Sequence, residues 1–139
     1  MSNGVILDTG PLVAFLDRAE GHHAWVCARF RDFRLPLLTC EPVITEALFL
    51  LRKLPVAQDK LLGWVEEGHL QVCFRLQDEV ASVRRILLKY RDLPMSLADA
   101  CLVLLAEGAM LPICTLDSHF SLYRKRGSDP LSLVLPGRP

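Results

Sequence analysis

The sequence has no excess of charge of either sign. It carries 16 Lys and Arg residues against 16 Asp and Glu residues, and its pI is about 6.9. Proteins that bind nucleic acid through a broad basic face neutralise many phosphates and carry a large positive charge. The balance therefore excludes a strongly cationic nucleic-acid binder, and any contact with nucleic acid must be local.

The sequence also lacks the segments that take a chain into or across a membrane. No stretch approaches the roughly 18 consecutive apolar residues of a membrane span, and the N-terminus has no basic region followed by an apolar signal core. We therefore expect a cytoplasmic protein without a membrane segment.

Cysteines at metal-binding or redox spacing are absent as well. The five cysteines are odd in number, far apart and without a C-x-x-C pair; they are Cys27, Cys40, Cys73, Cys101 and Cys114. Most of them have apolar neighbours, so we expect buried free thiols and neither a zinc site nor a disulfide framework.

What the sequence has in abundance is apolar residues in short periodic runs. Its 139 residues, 51% of them hydrophobic, predict one α/β domain over residues 1–135 and a loose tail over 136–139. Strands alternate with amphipathic helices, which indicates a central, mainly parallel sheet of four to five short strands flanked by helices. The predicted strands are 5–7, 36–39, 69–76, 113–116 and 131–135. Five helices are predicted over 22–33, 41–54, 56–67, 77–90 and 96–107. Two further helices are predicted to start near 11 and near 118.

Two acidic residues follow directly after apolar strands. Asp8 follows the first strand, Asp117 follows the strand 113–116, and a helix start comes next in both cases. Open α/β sheets bind their ligands at the carboxyl ends of strands. Asp is also a preferred helix cap, so a capping role explains either residue as well as a ligand-binding role does. At the first of the two sites, however, we expect Thr9 or Gly10 to be the cap.

Two further acidic residues lie in apolar helical surroundings. Asp99 belongs to a helix that is apolar nearly all round, which favours a central position. Glu46 lies beside a predicted buried stripe, where a carboxylate is costly unless it is compensated. The alternatives are that Glu46 reaches water from the margin of the stripe and that Asp99 forms a capping box with Ser96. The stripe consists of Val43, Ala47, Leu50, Leu51 and Leu54.

The joint pattern of these four carboxylates is not explained by capping. If they converge, they repel one another and hold raised pKa values unless a divalent cation neutralises them. Oxygen ligands suit Mg²⁺ or Mn²⁺, and no set of Cys and His residues is spaced for zinc. Such ions activate water and stabilise the attacking and leaving oxygens in phosphodiester cleavage.

Four stretches resemble the motifs of the PIN-domain nucleases and, among them, the VapC-type ribonuclease toxins of type II toxin–antitoxin pairs. These stretches are V-I-L-D-T-G-P-L at 5–12, I-T-E-A at 44–47, S-L-A-D-A at 96–100 and T-L-D-S-H-F at 115–120. They occur in the order and spacing of that family and span nearly the whole chain. The resemblance implies a single PIN-like domain with an acidic tetrad of Asp8, Glu46, Asp99 and Asp117. Within it, Asp8 and Asp99 would bind the metal directly, the other two would act directly or through water, and Thr9 and Thr115 would brace the site.

The resemblance further implies a reaction and partners. The reaction is hydrolysis of single-stranded or loop RNA by a metal-activated water, which leaves a 5′ phosphate. Phosphate contacts are expected from the basic run of Arg124, Lys125 and Arg126. The same run has a structural explanation, because cations at the carboxyl end of the helix starting at 118 interact favourably with the helix dipole. The expected partners are RNA, a second copy of the chain in a homodimer, and a small cognate antitoxin that covers an apolar patch. Candidates for that patch are Leu12, Phe15, Trp25, Phe30 and Trp64, with core packing as the alternative for each.

Two other functions stay open at this point. One is an RNA-processing PIN nuclease without an antitoxin, which only the neighbouring gene distinguishes from a toxin. The other is a PIN-like binding module without turnover, against which the presence of all four acids argues. A phosphotransferase of the haloacid-dehalogenase type is disfavoured because the second acid it needs is replaced by Gly10.

Overall fold

The computed structural model describes residues 4–125 and 128–137 of the chain. The regular elements follow one another as β1 (Ile6–Leu7), α1 (Thr9–Leu16), α2 (His23–Asp32), β2 (Leu37–Thr39), α3 (Glu41–Leu50), α4 (Pro55–Glu66), β3 (Leu70–Val72), α5 (Leu76–Lys89), α6 (Leu97–Ala109), β4 (Ile113–Cys114), a 3₁₀ helix (Ser118–Leu122), β5 (Arg124–Lys125), β6 (Asp129–Pro130) and β7 (Leu133–Val134).

Five of the strands form one parallel sheet in the order β3-β2-β1-β4-β7. Its central strand, β1, is fully buried, as expected for a parallel strand covered by helices on both faces. This confirms the predicted α/β fold with a central parallel sheet. The chain builds β1, β2 and β3 outward on one side and then returns to place β4 on the other side of β1. The strand order therefore reverses between β1 and β4, which is where sheets of this kind form ligand crevices.

Helix α6 packs close to the centre of the molecule. Its apolar composition predicts this position, and most of its residues are buried, including Asp99. Among the described residues, no helix is both long and apolar enough to span a membrane.

Three predicted boundaries in the first two thirds of the chain are wrong. Helix α3 ends at Leu50, four residues before the predicted end, and a turn leads into α4. Leu50 and Leu54 are exposed, so the buried stripe of α3 comprises only Val43 and Ala47 and continues to Leu51 in the turn. Strand β3 is shorter than the predicted 69–76 because its partner β2 offers only three residues for pairing. Helix α1 is capped by Asp8 and not by Thr9 or Gly10.

The basic run near the C-terminus does not close a helix. The segment after Asp117 is a 3₁₀ helix, and β5 then pairs with β6 in an antiparallel ribbon. The backbone is extended at Tyr123, whose side chain is fully buried. The next amide, that of Arg124, donates a hydrogen bond to the Tyr90 hydroxyl (2.9 Å). The Arg124 guanidinium still donates to carbonyls at the end of the 3₁₀ helix, those of Ser121 (2.7 Å) and Tyr123 (3.0 Å). Arg126 lies outside the described residues.

Two further predictions are wrong in part: that the cysteines are buried, and that Leu12 belongs to an exposed apolar patch for a partner. All five cysteines are free, but only Cys40, Cys101 and Cys114 are buried; Cys27 is half-buried and Cys73 is exposed. Leu12 is fully buried in the core and cannot belong to a partner patch.

Candidate active site

The strand β1 and its neighbour β4 place Asp8 and Thr115 side by side. Leu7 pairs with Cys114, and the Asp8 amide donates to the Cys114 carbonyl (3.0 Å). The Thr115 hydroxyl then donates to Asp8 Oδ2 (2.7 Å), while Asp8 Oδ1 accepts from the Thr9 amide (2.7 Å). Both carboxylate oxygens are therefore held at the point where the strand order reverses.

Asp8 is electrostatically strained in the absence of a cation. Burial raises the pKa of this carboxyl, the hydrogen bonds from Thr115 and Thr9 oppose the increase, and the charges of Asp99 and Glu46 add to it, so that the pKa moves from 3.8 to about 6. The surroundings of Asp8 thus disfavour its charged form although two donors support it. A bound cation would reverse this balance.

Glu46 reaches the site from the exposed side of α3. Its Oε2 accepts a hydrogen bond from the Thr9 hydroxyl (3.1 Å), and Thr9 is the first residue of α1. Glu46 is exposed, as expected if it reaches water from the margin of the buried stripe. Its charge nevertheless acts on Asp8, so exposure does not remove it from the site. The exposure follows from the pitch of the helix, on which Val43 and Ala47 point into the core.

Asp99 combines capping with a position in the site. In the first turn of α6, its Oδ2 accepts from the Ser96 amide (3.2 Å) and its own amide donates to the Ser96 hydroxyl (3.1 Å), which completes the capping box. The buried Tyr123 hydroxyl also donates to Oδ2 (3.3 Å). Burial is the main cause that raises the pKa of Asp99, and the charge of Asp117 adds to it.

Asp117 is held by the segment that follows β4. Its amide donates to the Thr115 hydroxyl (3.0 Å), so Thr115 connects two of the four acids. Its Oδ1 accepts from the His119 amide (2.9 Å) and faces His119 Nδ1 (2.8 Å). The side chain of Asp117 is 43% exposed and remains accessible from solvent.

All four acids line one open cleft of about 580 Å³. Its other lining residues are Thr9, Gly10, Leu50, Pro94, Ser96 and Leu116. Among the described residues, no Lys or Arg occurs in this lining, and the one imidazole in contact with a cleft acid is that of His119 beside Asp117. The structure thus brings together the whole predicted tetrad and Thr9, with Thr115 directly behind it.

The donor set of this cleft fits a hard divalent cation. Its charged ligands are all carboxylates, and Asp8, Glu46, Asp99 and Asp117 come from four different elements. In the described ranges, no group of three or more Asp, Glu, His or Cys side chains is placed so that it could hold a metal ion. Mg²⁺ usually keeps several waters and binds through one or two carboxylates.

Gly10 lies close to the Leu116 side chain in the lining of the cleft. A Cβ atom at this position would come within 3.2 Å of Leu116 Cδ1, which is tighter than ordinary packing. The close approach of α1 to the Leu116–Asp117 segment therefore depends on a residue without a side chain.

Two contacts of the site were not identified from the sequence. No sequence pattern singles out Tyr123, yet its hydroxyl contacts Asp99. His119 lies two residues after Asp117, a spacing typical of a local Asp turn, and this could have indicated the contact. Tyr123 had no such local signal, because it lies 24 residues from its partner.

Two of the basic residues proposed for phosphate contact, Arg124 and Lys125, are not part of the cleft lining. Arg124 instead lines a separate cavity of about 260 Å³ together with Arg85 and Lys89. Lys125 is half-buried on β5. Contact of these residues with RNA stays a prediction.

Comparison with known proteins gives a consistent result. The PIN domain family model matches residues 5–126. Ribonuclease VapC26 from Mycobacterium tuberculosis (strain ATCC 25618 / H37Rv) is 31% identical over 135 residues, covering 94% of this chain and 99% of that protein. The crystal structure of Mycobacterium tuberculosis VapC20, a sarcin-ricin loop cleaving toxin, superposes with a TM-score of 0.76 at 15% identity, over 85% of this chain and 93% of that one. The chain is therefore a member of the PIN-domain family, with Ribonuclease VapC26 among its homologues.

Proposed function

We propose that this protein is a metal-dependent endoribonuclease and the toxin of a toxin–antitoxin pair, acting on RNA in the cytoplasm. The observation that carries the proposal is the convergence of Asp8, Glu46, Asp99 and Asp117 on one cleft at the strand-order reversal of a PIN fold. Homology to a ribonuclease over nearly the full chain supports the choice of RNA as the substrate.

The cleft residues have distinct roles in this proposal. Asp8 and Asp99 are the most buried of the four acids and would be the direct ligands of Mg²⁺ or Mn²⁺, while Glu46 and Asp117 are more exposed and would hold the ion directly or through water. Such an ion, when bound, supplies activation of a water molecule and neutralisation of the phosphodiester charge.

The two threonines orient these carboxylates. Thr115 fixes one oxygen of Asp8 through its hydroxyl hydrogen and receives the Asp117 amide on its oxygen. Thr9 donates to Glu46 through its hydroxyl and to Asp8 through its amide. A carboxylate whose rotamer is held in this way loses little freedom on binding a cation, which favours a defined coordination geometry.

The first test is cleavage of a single-stranded RNA by purified variants. Asp8→Asn and Asp99→Asn keep the side-chain shape but remove the charge that binds a cation, so we expect cleavage to fall at least about 100-fold while the protein stays folded. Asp59→Asn, on the exposed side of α4, is the matched control and should cleave like the wild type. Cleavage at the wild-type rate by either cleft variant would contradict the assigned site.

The second test concerns the metal and the product ends. EDTA should abolish cleavage, and Mg²⁺ or Mn²⁺ should restore it, because the cleft offers only oxygen ligands. The products should carry 5′ phosphates, since water is the nucleophile. Products with cyclic 2′,3′ phosphates, or activity after exhaustive chelation, would show a ribonuclease of another class.

We place the antitoxin on an aromatic groove beside α1, α2 and α4. Phe15 stacks on Phe30 with centroids 4.6 Å apart, and Trp64 meets Phe15 edge-on at 5.4 Å. These rings line a cavity of about 230 Å³ together with Leu35, Leu37, His69 and Leu70. Leu35 is 56% exposed, so the groove opens to solvent and offers an apolar surface to a partner's side chain.

We place the homodimer contact on a second apolar groove, which borders the acidic cleft. It has a volume of about 610 Å³, and its exposed apolar residues include Phe49, Leu76 and Leu97. Glu46 lines both this groove and the acidic cleft. A second copy seated here would cover apolar surface and bring two acidic clefts close together.

A further inference from the structure

The side chain of Tyr123 approaches the acidic cleft from the protein interior. It is fully buried, and its hydroxyl donates to Asp99 Oδ2 (3.3 Å). A tyrosine hydroxyl is protonated at neutral pH, so toward a carboxylate it acts as the donor. Packing alone does not require this hydroxyl, because the buried Phe120 fills the same core cluster without one. A buried tyrosine hydroxyl needs a polar partner, and here that partner is one of the four acids of the cleft.

Two aromatic rings hold the ring of Tyr123 in place. Phe120 meets it edge-on with centroids 5.4 Å apart, and Tyr90 meets it edge-on at 5.2 Å. The Tyr90 hydroxyl also accepts from the amide of Arg124 (2.9 Å), the residue that follows Tyr123 in the chain. The ring and its backbone are thus both supported, so the hydroxyl is presented to Asp99 in a defined orientation.

Two donors from distant parts of the chain act on one oxygen of Asp99. The Ser96 amide donates to Oδ2 from the start of α6 (3.2 Å), and the Tyr123 hydroxyl donates to the same oxygen from the segment after the 3₁₀ helix. The first bond belongs to the helix cap, whereas the second exists only because of the tertiary fold. Neither bond ends on Oδ1, so that oxygen is left for a cation in the cleft.

The segment that carries Tyr123 also carries another acid of the cleft. Asp117 caps the start of the 3₁₀ helix, Tyr123 follows its end, and the fully buried Phe120 anchors it between them. The bond from Tyr123 to Asp99 therefore connects the segment that places Asp117 to the helix that places Asp99.

We propose that Tyr123 is a positioning residue of the acidic cleft, which holds the Asp99 carboxylate in the orientation that binds a divalent cation. The inference rests on the proposed metal-dependent function and adds a residue that lies outside the cleft lining. Hydrogen-bond partners of metal ligands fix the orientation of the ligand, and their loss lowers metal affinity or activity about 10- to 100-fold. Tyr123 touches neither the ion nor the RNA in this proposal and acts only through Asp99.

The experiment measures Mn²⁺ binding to the purified full chain by isothermal titration calorimetry. Tyr123→Phe removes only the hydroxyl and keeps the ring, so we expect the variant to fold and its Mn²⁺ affinity to fall about tenfold. RNA cleavage should fall by a similar factor at limiting Mn²⁺ and return to within about threefold of the wild type at saturating Mn²⁺. A purely structural role of the hydroxyl would not produce this dependence on metal concentration.

Tyr90→Phe is the matched control. It removes a hydroxyl from the same aromatic cluster, one that accepts from the Arg124 amide and, among the described residues, bonds no acid of the cleft. Its Mn²⁺ affinity should equal that of the wild type, and urea denaturation of both variants measures what each hydroxyl contributes to the fold. The proposal is overturned if Tyr123→Phe binds Mn²⁺ as tightly as the wild type, or if the two variants lose affinity equally.

The wild type decides the proposed function separately. A wild type that neither binds Mn²⁺ nor needs it for cleavage would contradict the metal-dependent function itself. A wild type that does both, with an unchanged Tyr123→Phe variant, would contradict only the role of Tyr123. If Tyr123→Phe does not fold, Tyr123→Met takes its place, because a methionine also lacks the hydroxyl and adapts to the space of the ring.

Discussion

Among single residues, Asp8 has the most consequential surroundings. It accepts hydrogen bonds from Thr115 and Thr9, yet burial and two neighbouring acids oppose its charge. The two effects do not cancel, because the pKa of the carboxyl remains raised to about 6. A site with this balance is destabilising in the metal-free protein and favourable for a cation, which is the trade-off expected at a functional site.

The raised pKa of Asp8 predicts how stability depends on pH. Between the ordinary value of 3.8 and about 6, the folded state binds this proton more tightly than the unfolded state does, so its stabilising contribution is lost as the pH rises. The loss is about 3 kcal/mol by neutral pH. Asp8→Asn lacks this titration, so in EDTA it should be more stable than the wild type at pH 7.5 and show a flatter dependence between pH 4.5 and 7.5. Urea denaturation at both pH values measures the difference.

The control for this prediction is Asp59→Asn, which removes an exposed carboxylate. It should follow the wild-type curve. If Asp8→Asn and the wild type lost the same stability between the two pH values, Asp8 would not be the residue whose charge is disfavoured.

We expect a substitution at Thr115 to lower activity, although Thr115 is not proposed to contact the substrate. Its hydroxyl bonds both the Asp8 carboxylate and the Asp117 amide, and Thr115→Val removes both bonds. We expect cleavage to fall about 10- to 100-fold and the free energy of unfolding to fall by about 1–3 kcal/mol. Thr115→Ser should restore most of both. RNA cleavage rates at saturating Mg²⁺, with urea denaturation of the same samples, provide the measurement.

Thr39 is a matched control for Thr115. It is also a buried threonine, and its hydroxyl donates to the Leu7 carbonyl (2.9 Å). Thr39→Val should lower stability but leave cleavage by the folded protein close to that of the wild type. Equal losses of cleavage in the two valine variants would show that Thr115 supports only the fold.

Among the elements, α6 serves two purposes with one turn of helix. Its N-terminus is closed by the capping box of Ser96 and Asp99, and the same Asp99 carboxylate faces the acidic cleft and the Tyr123 hydroxyl. The apolar remainder of the helix is packed in the core, so the first turn has little freedom to move. A capping function and a catalytic function of Asp99 are therefore compatible, and they need not be alternatives.

The two functions of this turn can be separated by mutation. Ser96→Ala removes the hydroxyl that accepts from the Asp99 amide, but it leaves the Ser96 amide that donates to the Asp99 carboxylate. We expect a loss of about 1 kcal/mol in the free energy of unfolding and cleavage within about threefold of the wild type. Asp99→Asn should show the opposite pattern: cleavage is lost, whereas the free energy of unfolding changes little because the Asn side-chain oxygen can still accept from the Ser96 amide. Similar losses of cleavage in both variants would mean that Asp99 acts only as a cap.

At the scale of the whole molecule, the proposed substrate, antitoxin and dimer contacts use different surfaces. The acidic cleft, the aromatic groove at Phe15, Phe30 and Trp64, and the groove at Phe49 lie on separate sets of residues, apart from Glu46. The chain has no formal net charge, so we expect non-specific attraction to RNA to be weak. Contacts with partners must therefore depend on these local surfaces.

The aromatic groove predicts a variant that escapes its antitoxin. Leu35→Asp places a charge at the exposed rim of the groove, so neutralisation by the proposed antitoxin should be lost while RNA cleavage is kept. Growth of the native host that expresses each variant, with and without the neighbouring gene, is the measurement. Leu88→Asp alters a residue that is 67% exposed on α5 and should still be neutralised. If wild-type and Asp8→Asn proteins are equally harmless without the neighbouring protein, the toxin assignment fails.

The second groove predicts the oligomeric state. Phe49→Asp should convert a dimer to a monomer in light scattering, because Phe49 is 62% exposed and a charge there opposes burial against a second copy. Leu88→Asp again serves as the control and should remain dimeric. A wild-type protein that is monomeric at micromolar concentration would contradict the dimer.

The sequence by itself determined the five strands of the parallel sheet, the helices α1 to α6 and the candidate acids, but not the 3₁₀ helix or the β5–β6 ribbon. Apolar runs of the right period, such as that of α6, and strand–acid–helix transitions, such as that at Asp8, are local patterns that survive in the structure. Local patterns also predicted all four acids of the cleft, because each lies at a recognisable position within its own element.

Only the tertiary structure decided the surroundings of those acids. The parallel pairing of β1 with β4 brings Thr115 to Asp8 across 107 residues, and the turn after β4 brings Tyr123 to Asp99. The same packing makes Asp8 buried and Glu46 exposed, and it directs Arg124 to a cavity apart from the cleft. The physical reason is that helix and strand periodicity depend on neighbours in sequence, whereas burial, pKa and hydrogen-bond partners depend on which distant elements pack together.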